Sequence, residues 1–364
     1  MSTVLTPPAE AGEILRDVQV PAVAPGPGRI VLAADEVEEI RELLAGLTRR
    51  YSTPEDPRFL EEADIAAHDL PVRVRRELRA FRLHEPDSAL LVVSGWPVDQ
   101  ERIGRTPAHW KVKEPENRTL EEEMLLVLLG SLLGDVIGWS TQQDGRMVHD
   151  ILPIKGHEQE QLGSGSEVLL TWHVEDAFHP YRGDYIGLMC LRNPDRVPTT
   201  FAPVRKARVT PEEFRLLSEP HFVIRPDESH LPKNRGAGPV NPLIERAYTK
   251  IMRMKDSPER IPVLFGDPSA PYLRMDPYFM DPADDPRAQA ALDAVVGRMD
   301  RALEDQVLEP GDICFIDNFQ GVHGRKPFRA RFDGTDRWLK RINIARDLRK
   351  SRDAREAAGS RLLY

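Results

Sequence analysis

The sequence predicts a mainly β fold, a sandwich or jelly roll decorated with helices. Past residue 145 it breaks into short runs rich in β-branched and aromatic residues: EVLLTWHVE, YIGLMCL, HFVIRP, RIPVLFG, DICFID and RWLKRINIA. Gly, Pro, Asp and Asn separate these runs. Before residue 145 the apolar residues recur at helical spacing instead. No repeat, heptad or linker divides the chain, so the strands are expected to form one core with the helices packed on it.

Taken in order, residues 1–29 are rich in Pro, Ala and Gly and close on APGPG; they are predicted to be a mobile tail ahead of a single domain, 30–364. A helix should start near Ala34 or Asp35, with Val37, Ile40, Leu43, Leu44 and Leu47 on one face. Pro71 suits the first turn of a second helix, VRVRRELRAFRL. SALLVVSGW (88–96) is a compact buried strand. TLEEEMLLVLLGSLLGDVIGW (119–139) is predicted as one long helix, opened by Thr119 and by acids that suit the positive end of its dipole. The basic run RDLRKSRDAREAAGSR interleaves its charges with acids and is expected to be a solvated helical face.

Composition narrows the function classes. The 364 residues carry a net charge of −9, so no attraction to nucleic acid or anionic membrane is expected. The two cysteines, Cys190 and Cys314, lie inside apolar runs and are expected to be buried free thiols of a reducing cytosol. The start lacks a basic region followed by an apolar core. The most apolar stretch, 124–139, is interrupted by Ser131 and Asp135 and falls short of the roughly 20 residues a bilayer span needs. A soluble, cytoplasmic protein is expected; the oligomeric state is not legible.

The chemistry is concentrated in TWHVEDAFHP (171–180). On a strand, His173 and Glu175 project to one face, and an unpaired carboxylate buried there is costly. The partner is His323 in DICFIDNFQGVHGR, next to Gly324 and after an Asp317–Asn318 turn. Two histidines and one carboxylate, with positions left open, form the facial triad of non-haem Fe(II) oxygenases. In RWLKRINIARD, alternation puts Arg337, Leu339, Arg341 and Asn343 on one face, and Trp338, Lys340, Ile342 and Ile344 on the other. Two arginines four residues apart on a strand are about 13 Å apart, so they suit two separate carboxylates. That arrangement implies two small acids, one a co-substrate and one a substrate.

Together these segments resemble the clavaminate synthase-like Fe(II)/2-oxoglutarate-dependent oxygenases. Within them the likeness is closest to the viomycin-pathway L-arginine 3-hydroxylase type of free amino-acid hydroxylase. It rests on GWSTQQDGR (138–146), ILPIKG (151–156), WHVEDAFHPYRGDYIGL (172–188), LRNPD (191–195), IRPDESHL (224–231) and IDN…VHGR followed by RWLKRINI, and it spans roughly residues 30–355. The resemblance implies a double-stranded β-helix of the jelly-roll type. It implies Fe(II), 2-oxoglutarate and O2, with iron on His173, Glu175 and His323 and the distal carboxylate of 2-oxoglutarate on Arg337. It also implies that Arg341 holds the substrate's α-carboxylate, that Gln142, Leu162 and Ser164 touch its amino-acid head, and that a lid at about 220–240 turns Asp227 inward. The setting implied is antibiotic or other secondary-metabolite biosynthesis.

One position departs from the resemblance. Where the arginine hydroxylases pair the guanidinium with two acids spaced D-x-D, YLRMDPYF offers Asp276 and then Tyr278. A guanidinium favours two acceptors in a fork. Arginine therefore stands beside citrulline, lysine and enduracididine as candidate substrates, with oxidation at C3 or C4 and desaturation as a competing outcome. The rival from another class is a non-catalytic jelly-roll protein in which the same three ligands close around a structural metal. GHEQEQ (156–161) lacks the second histidine of a zinc-protease helix, and GSGS (163–166) lacks the context of a phosphate loop. His179 is expected to support the triad from outside it. His68, His84, His109, His149, His157, His221 and His230 are expected to be ordinary surface or core histidines.

Overall fold

The computed structural model describes residues 28–112, 116–236, 238 and 241–364. The predicted tail therefore lies almost wholly outside the described residues. Its boundary needs one correction: a strand begins at Arg29, which pairs in parallel with Val92.

The apolar runs pair into two principal sheets. The larger has eight strands: Arg29–Val31, Leu90–Ser94, Ile313–Asp317, Tyr185–Arg192, Trp338–Ala345, Asp135–Trp139 and Leu362–Leu363 in that spatial order, with His149–Ile151 also paired to Trp338–Ala345. The smaller has four: Glu304–Gln306, Thr199–Pro203, Gly321–Arg325 and Leu170–His173. Alternation along the larger sheet's central strands sorts their side chains into two cores. Tyr185, Met189, Leu191, Ile313, Phe315, Ile342 and Ile344 face the N-terminal helices Ala34–Arg50, Pro57–Ala67, Val72–His84 and Leu120–Ser131. Ile186, Leu188, Cys190, Cys314, Ile316 and Leu339 face inward and pack on Phe201 of the smaller sheet. Both cysteines are buried and unpaired, and burial pushes their thiols up to about 12. The smaller sheet's outer side is covered by Pro211–Leu217, Pro242–Asp256 and Pro286–Ala302, helices that the β-rich reading of this half did not anticipate.

The long helix expected at 119–139 is two elements. The helix ends at Ser131, and Asp135–Trp139 is a strand beside Asn343–Ala345. Gly134 permits the turn, because a Cβ there would stand 2.5 Å from the Ala345 carbonyl oxygen. Thr119 does not cap through its side chain; its hydroxyl donates to Glu123 at 2.9 Å. The basic C-terminal run is not a solvated helical face either. Leu348–Ala354 is 3₁₀, and Arg355 is buried, donating to the Leu348 carbonyl at 2.7 Å. Among the described residues no helix is long and apolar enough to cross a membrane.

Candidate active site

The two sheets splay apart around a cavity lined from both sides, by Leu188, Leu339 and Arg341 of one and by Thr199, His173 and His323 of the other. His173 lies directly opposite His323 in the antiparallel register, with ring centroids 4.6 Å apart. Gly324 permits this approach, since a Cβ there would stand 2.5 Å from the Leu170 carbonyl oxygen. Glu175 is not on the strand, as alternation would have it. The strand ends at His173, and Glu175 sits in a turn whose next residue, Asp176, has φ +52°. The turn swings its Oε2 to 3.6 Å from His173 Nε2 and 3.4 Å from His323 Nε2.

One ligand atom from each of these residues falls within 4.8 Å of the others. His173 Nδ1 donates to the Thr171 carbonyl at 2.9 Å, which turns the Nε2 lone pair toward the cavity. Two imidazoles and one carboxylate, with a coordination sphere left half open, fit Fe(II) rather than a closed structural site. Burial alone would raise the Glu175 carboxyl, but Arg341, His173 and His323 outweigh it and hold it well below the usual carboxylate range. Burial would lower His173, yet Glu175 and Asp276 carry it up to about 9. His323 is lowered by burial despite Glu175.

The two arginines both line the cavity and have different partners, as two separate anion sites require. Arg337 precedes a bulge at the start of Trp338–Ala345, is buried, and donates to Thr199 Oγ1 at 3.1 Å. Its Nε has no hydrogen-bond partner among the described residues. Burial pulls its guanidinium down to about 10. Arg341 pairs with Glu175 Oε1 and reaches Gln142 Oε1 at 3.3 Å and His149 Nδ1 at 3.0 Å.

The other expected contacts are divided. Leu162, Asp227, Asp276 and Tyr278 line the cavity, Tyr278 at its exposed mouth. Burial raises the Asp276 carboxyl to about 6 against the pull of His173. Gln142 is not in the lining; it stands behind Arg341 and donates to Ser229 at 2.6 Å. Ser164 is not in the lining either, because its hydroxyl is taken by His157 at 2.9 Å. His179 lies against Trp139 and Phe178, with Nδ1 accepting from the Tyr181 amide at 3.0 Å, and it meets no member of the triad.

Two histidines dismissed on sequence belong to the site's frame. His149 is buried, with Nε2 on the Arg146 carbonyl at 3.0 Å; that leaves Nδ1 as the acceptor for Arg341. Burial and Arg341 hold it down to about 3. His230, wholly buried, pairs through Nε2 with Asp176 at 2.9 Å and through Nδ1 with Thr141 at 2.7 Å. Asp176 also accepts from Trp139 Nε1 at 2.7 Å. IRPDESHL is thereby fastened to the turn beside Glu175. Arg325, two residues past His323, holds the Gly165 and Val168 carbonyls and so fixes the loop that bears Leu162.

Residues 126–343 match the family model described as taurine catabolism dioxygenase TauD, TfdA family. The chain is 48% identical to an enduracididine beta-hydroxylase of Streptomyces hygroscopicus over 92% of this chain and 98% of that protein. It is 46% identical to an L-ornithine/L-arginine 3-hydroxylase of Catenulispora acidiphila, over 92% and 99%. The crystal structure of the non-heme iron oxygenase OrfP in complex with Fe, succinate and (3S)-hydroxy-L-Arg superposes with a TM-score of 0.87 at 44% identity, covering 93% of this chain and all of that one. The chain therefore belongs to the TauD/TfdA family of dioxygenases.

Proposed function

We propose that this protein is an Fe(II)- and 2-oxoglutarate-dependent hydroxylase acting on carbon 3 of a free L-amino acid with a basic side chain, arginine or a close relative. The observation that carries the reading is the convergence of His173, Glu175 and His323 in a cavity whose wall also bears two separated arginines. With iron, 2-oxoglutarate and O2 bound, the site supplies the oxidising power to hydroxylate an unactivated C–H bond, 2-oxoglutarate leaving as succinate and CO2.

The chain's own groups bind, orient and exclude water. His173, Glu175 and His323 hold the metal. Arg337, buried with an unpartnered Nε, offers a fork to the distal carboxylate of 2-oxoglutarate. Arg341, oriented by His149 and Gln142, takes the substrate's α-carboxylate. Asp227 and Asp276 line the cavity and offer anionic acceptors to a side-chain cation, and Leu162, also in the lining, packs against the substrate's body. The lid expected at about 220–240 is read on its described residues, 220–236 and 238, and the His230–Asp176 pair ties it to the metal turn. The two sheets are read as the walls of a double-stranded β-helix within one domain that begins at about residue 29. The relatives' names, enduracididine beta-hydroxylase and L-ornithine/L-arginine 3-hydroxylase, support both the basic side chain and the position of attack.

The test is anaerobic loading with Fe(II) and 2-oxoglutarate, then air, with arginine, ornithine, enduracididine, lysine and citrulline offered separately and products read by mass spectrometry. One oxygen gained on a basic member, and lost in His323→Ala, is the expected result. Turnover of citrulline alone would overturn the basic-side-chain reading.

A further inference from the structure

Resting on the reading of His173, Glu175 and His323 as iron ligands, we propose that Asn318 is a positioning residue that holds Glu175 in place through that residue's own peptide groups. Asn318 lies in the turn between strand Ile313–Asp317 and the strand that carries His323, and it is completely buried. Its Oδ1 accepts the Glu175 backbone N–H at 2.9 Å. Its Nδ2 donates to the Glu175 carbonyl at 3.0 Å and to the Gly183 carbonyl at 2.9 Å. The side chain therefore has no bonding capacity left for anything else but one further lone pair.

This grip answers a problem the fold creates. The register of the ladder fixes His173 against His323, but Glu175 stands beyond the end of its strand, beside a residue at φ +52°. No sheet bond sets its backbone. Asn318 does so, and it is only five residues ahead of His323 on the same turn and strand. The carboxylate ligand and the distal histidine are thus tied to one short rigid segment, so that all three donors are placed before a metal arrives. Groups one step outside a coordination sphere typically govern metal affinity about 10- to 100-fold.

The molecule contains its own control. Asn193 makes the same three kinds of bond elsewhere: Oδ1 accepts the Val197 N–H at 2.9 Å, and Nδ2 donates to the Val197 and Leu308 carbonyls at 3.1 Å. It too is buried, and it touches no member of the triad.

The experiment is an anaerobic titration of the full chain with Co(II), a visible-absorbing probe for an Fe(II) site. It compares wild type with the matched pairs Asn318→Ala and Asn193→Ala, and Asn318→Asp and Asn193→Asp, each with its thermal melt. The expected result is a Co(II) Kd raised about 10- to 100-fold, with an altered d–d spectrum, in the Asn318 variants. The Asn193 variants should lose comparable Tm yet keep Kd within threefold and the spectrum unchanged. Folded Asn318 variants that bind Co(II) like wild type would overturn the proposal, as would Asn193 variants that weaken it equally. If both Asn318 variants fail to melt cooperatively while their Asn193 counterparts do, Asn318 serves the fold and the proposal also falls. Failure of wild type to bind Co(II) at all would instead overturn the iron-site reading beneath it.

Discussion

The two sides of the segment 337–345 each bury a cation, and they treat it in opposite ways. On the outer face Lys340, 3% exposed, meets Asp150 at 2.6 Å and Glu123 at 2.7 Å. Burial alone would lower its ammonium, but the two carboxylates outweigh that and raise it. On the inner face Arg337, 7% exposed, has one hydroxyl for a partner, and burial pulls it down to about 10. A satisfied buried charge is a structural element. One left with unused donors is destabilised in the absence of an anion, which is the condition expected of a group that waits for a ligand.

The contrast is sharpest in two methionine substitutions. Lys340→Met leaves Asp150 and Glu123 facing each other in the interior, so unfolding should become easier by about 3–5 kcal/mol, read by denaturant titration. Its KM for 2-oxoglutarate should stay within about twofold, because the lost charge faces away from the cavity. Arg337→Met should do the reverse. Loss of charge-assisted bonds at about 1.5–3 kcal/mol each weakens 2-oxoglutarate by roughly 100-fold. The metal-free protein should melt no lower, because an incompletely paired charge has been removed from the interior. An Arg337→Met protein several degrees less stable with an unchanged KM would erase the distinction between the two faces.

Asp276 extends the comparison to an acid inside the cavity. Burial raises its carboxyl to about 6. It is neutral below that pH and charged above it, so its attraction for a side-chain cation is absent at low pH and gained as pH rises through 6. The ratio of kcat/KM for arginine to that for citrulline should therefore climb by up to about 10-fold between pH 5 and 7.5, following the ionised fraction of the carboxyl, since one charged hydrogen bond is worth at least that much. Taking the ratio cancels titrations in the metal site common to both substrates. In Asp276→Asn the ratio should be flat; a slope that persists would assign the cation to another acid, with Asp227 the nearest candidate.

What was legible in the sequence follows the same division. His173, His323, Arg337 and Arg341 lie on or at the edge of strands, where a period of two and a fixed register convert spacing into position. Glu175 was found for the wrong reason: it reaches the site through a turn that the Asp176 backbone and Asn318 impose, not through strand alternation. Gln142 and Ser164 lie on loops, where spacing says nothing about direction, and other side chains claimed both of them. His149 and His230 looked ordinary because their partners, Arg341 and Asp176, are 192 and 54 residues away. The 119–139 helix failed at Gly134, whose meaning depends on a carbonyl more than 200 residues later.

Tyr278 carries the smallest expected effect and tests the departure that first separated this chain from the arginine hydroxylases. It stands where a second acid is expected, yet the residue is 57% exposed at the cavity mouth, its ring edge-on to Phe279 at 4.9 Å between centroids. A hydroxyl so placed is largely solvated and, in the proposed complex, gives little to a guanidinium held by Asp276. Tyr278→Phe should accordingly change KM for arginine by less than about twofold, within the ±0.5 kcal/mol usual at exposed positions. Tyr278→Asp should supply the missing half of the fork and favour arginine over lysine, because only the guanidinium presents two parallel donors. If Tyr278→Phe instead costs tenfold or more, the mouth closes on the substrate and the phenol is a direct contact, which would place the specificity of this site in its movable rim and not in its buried acid.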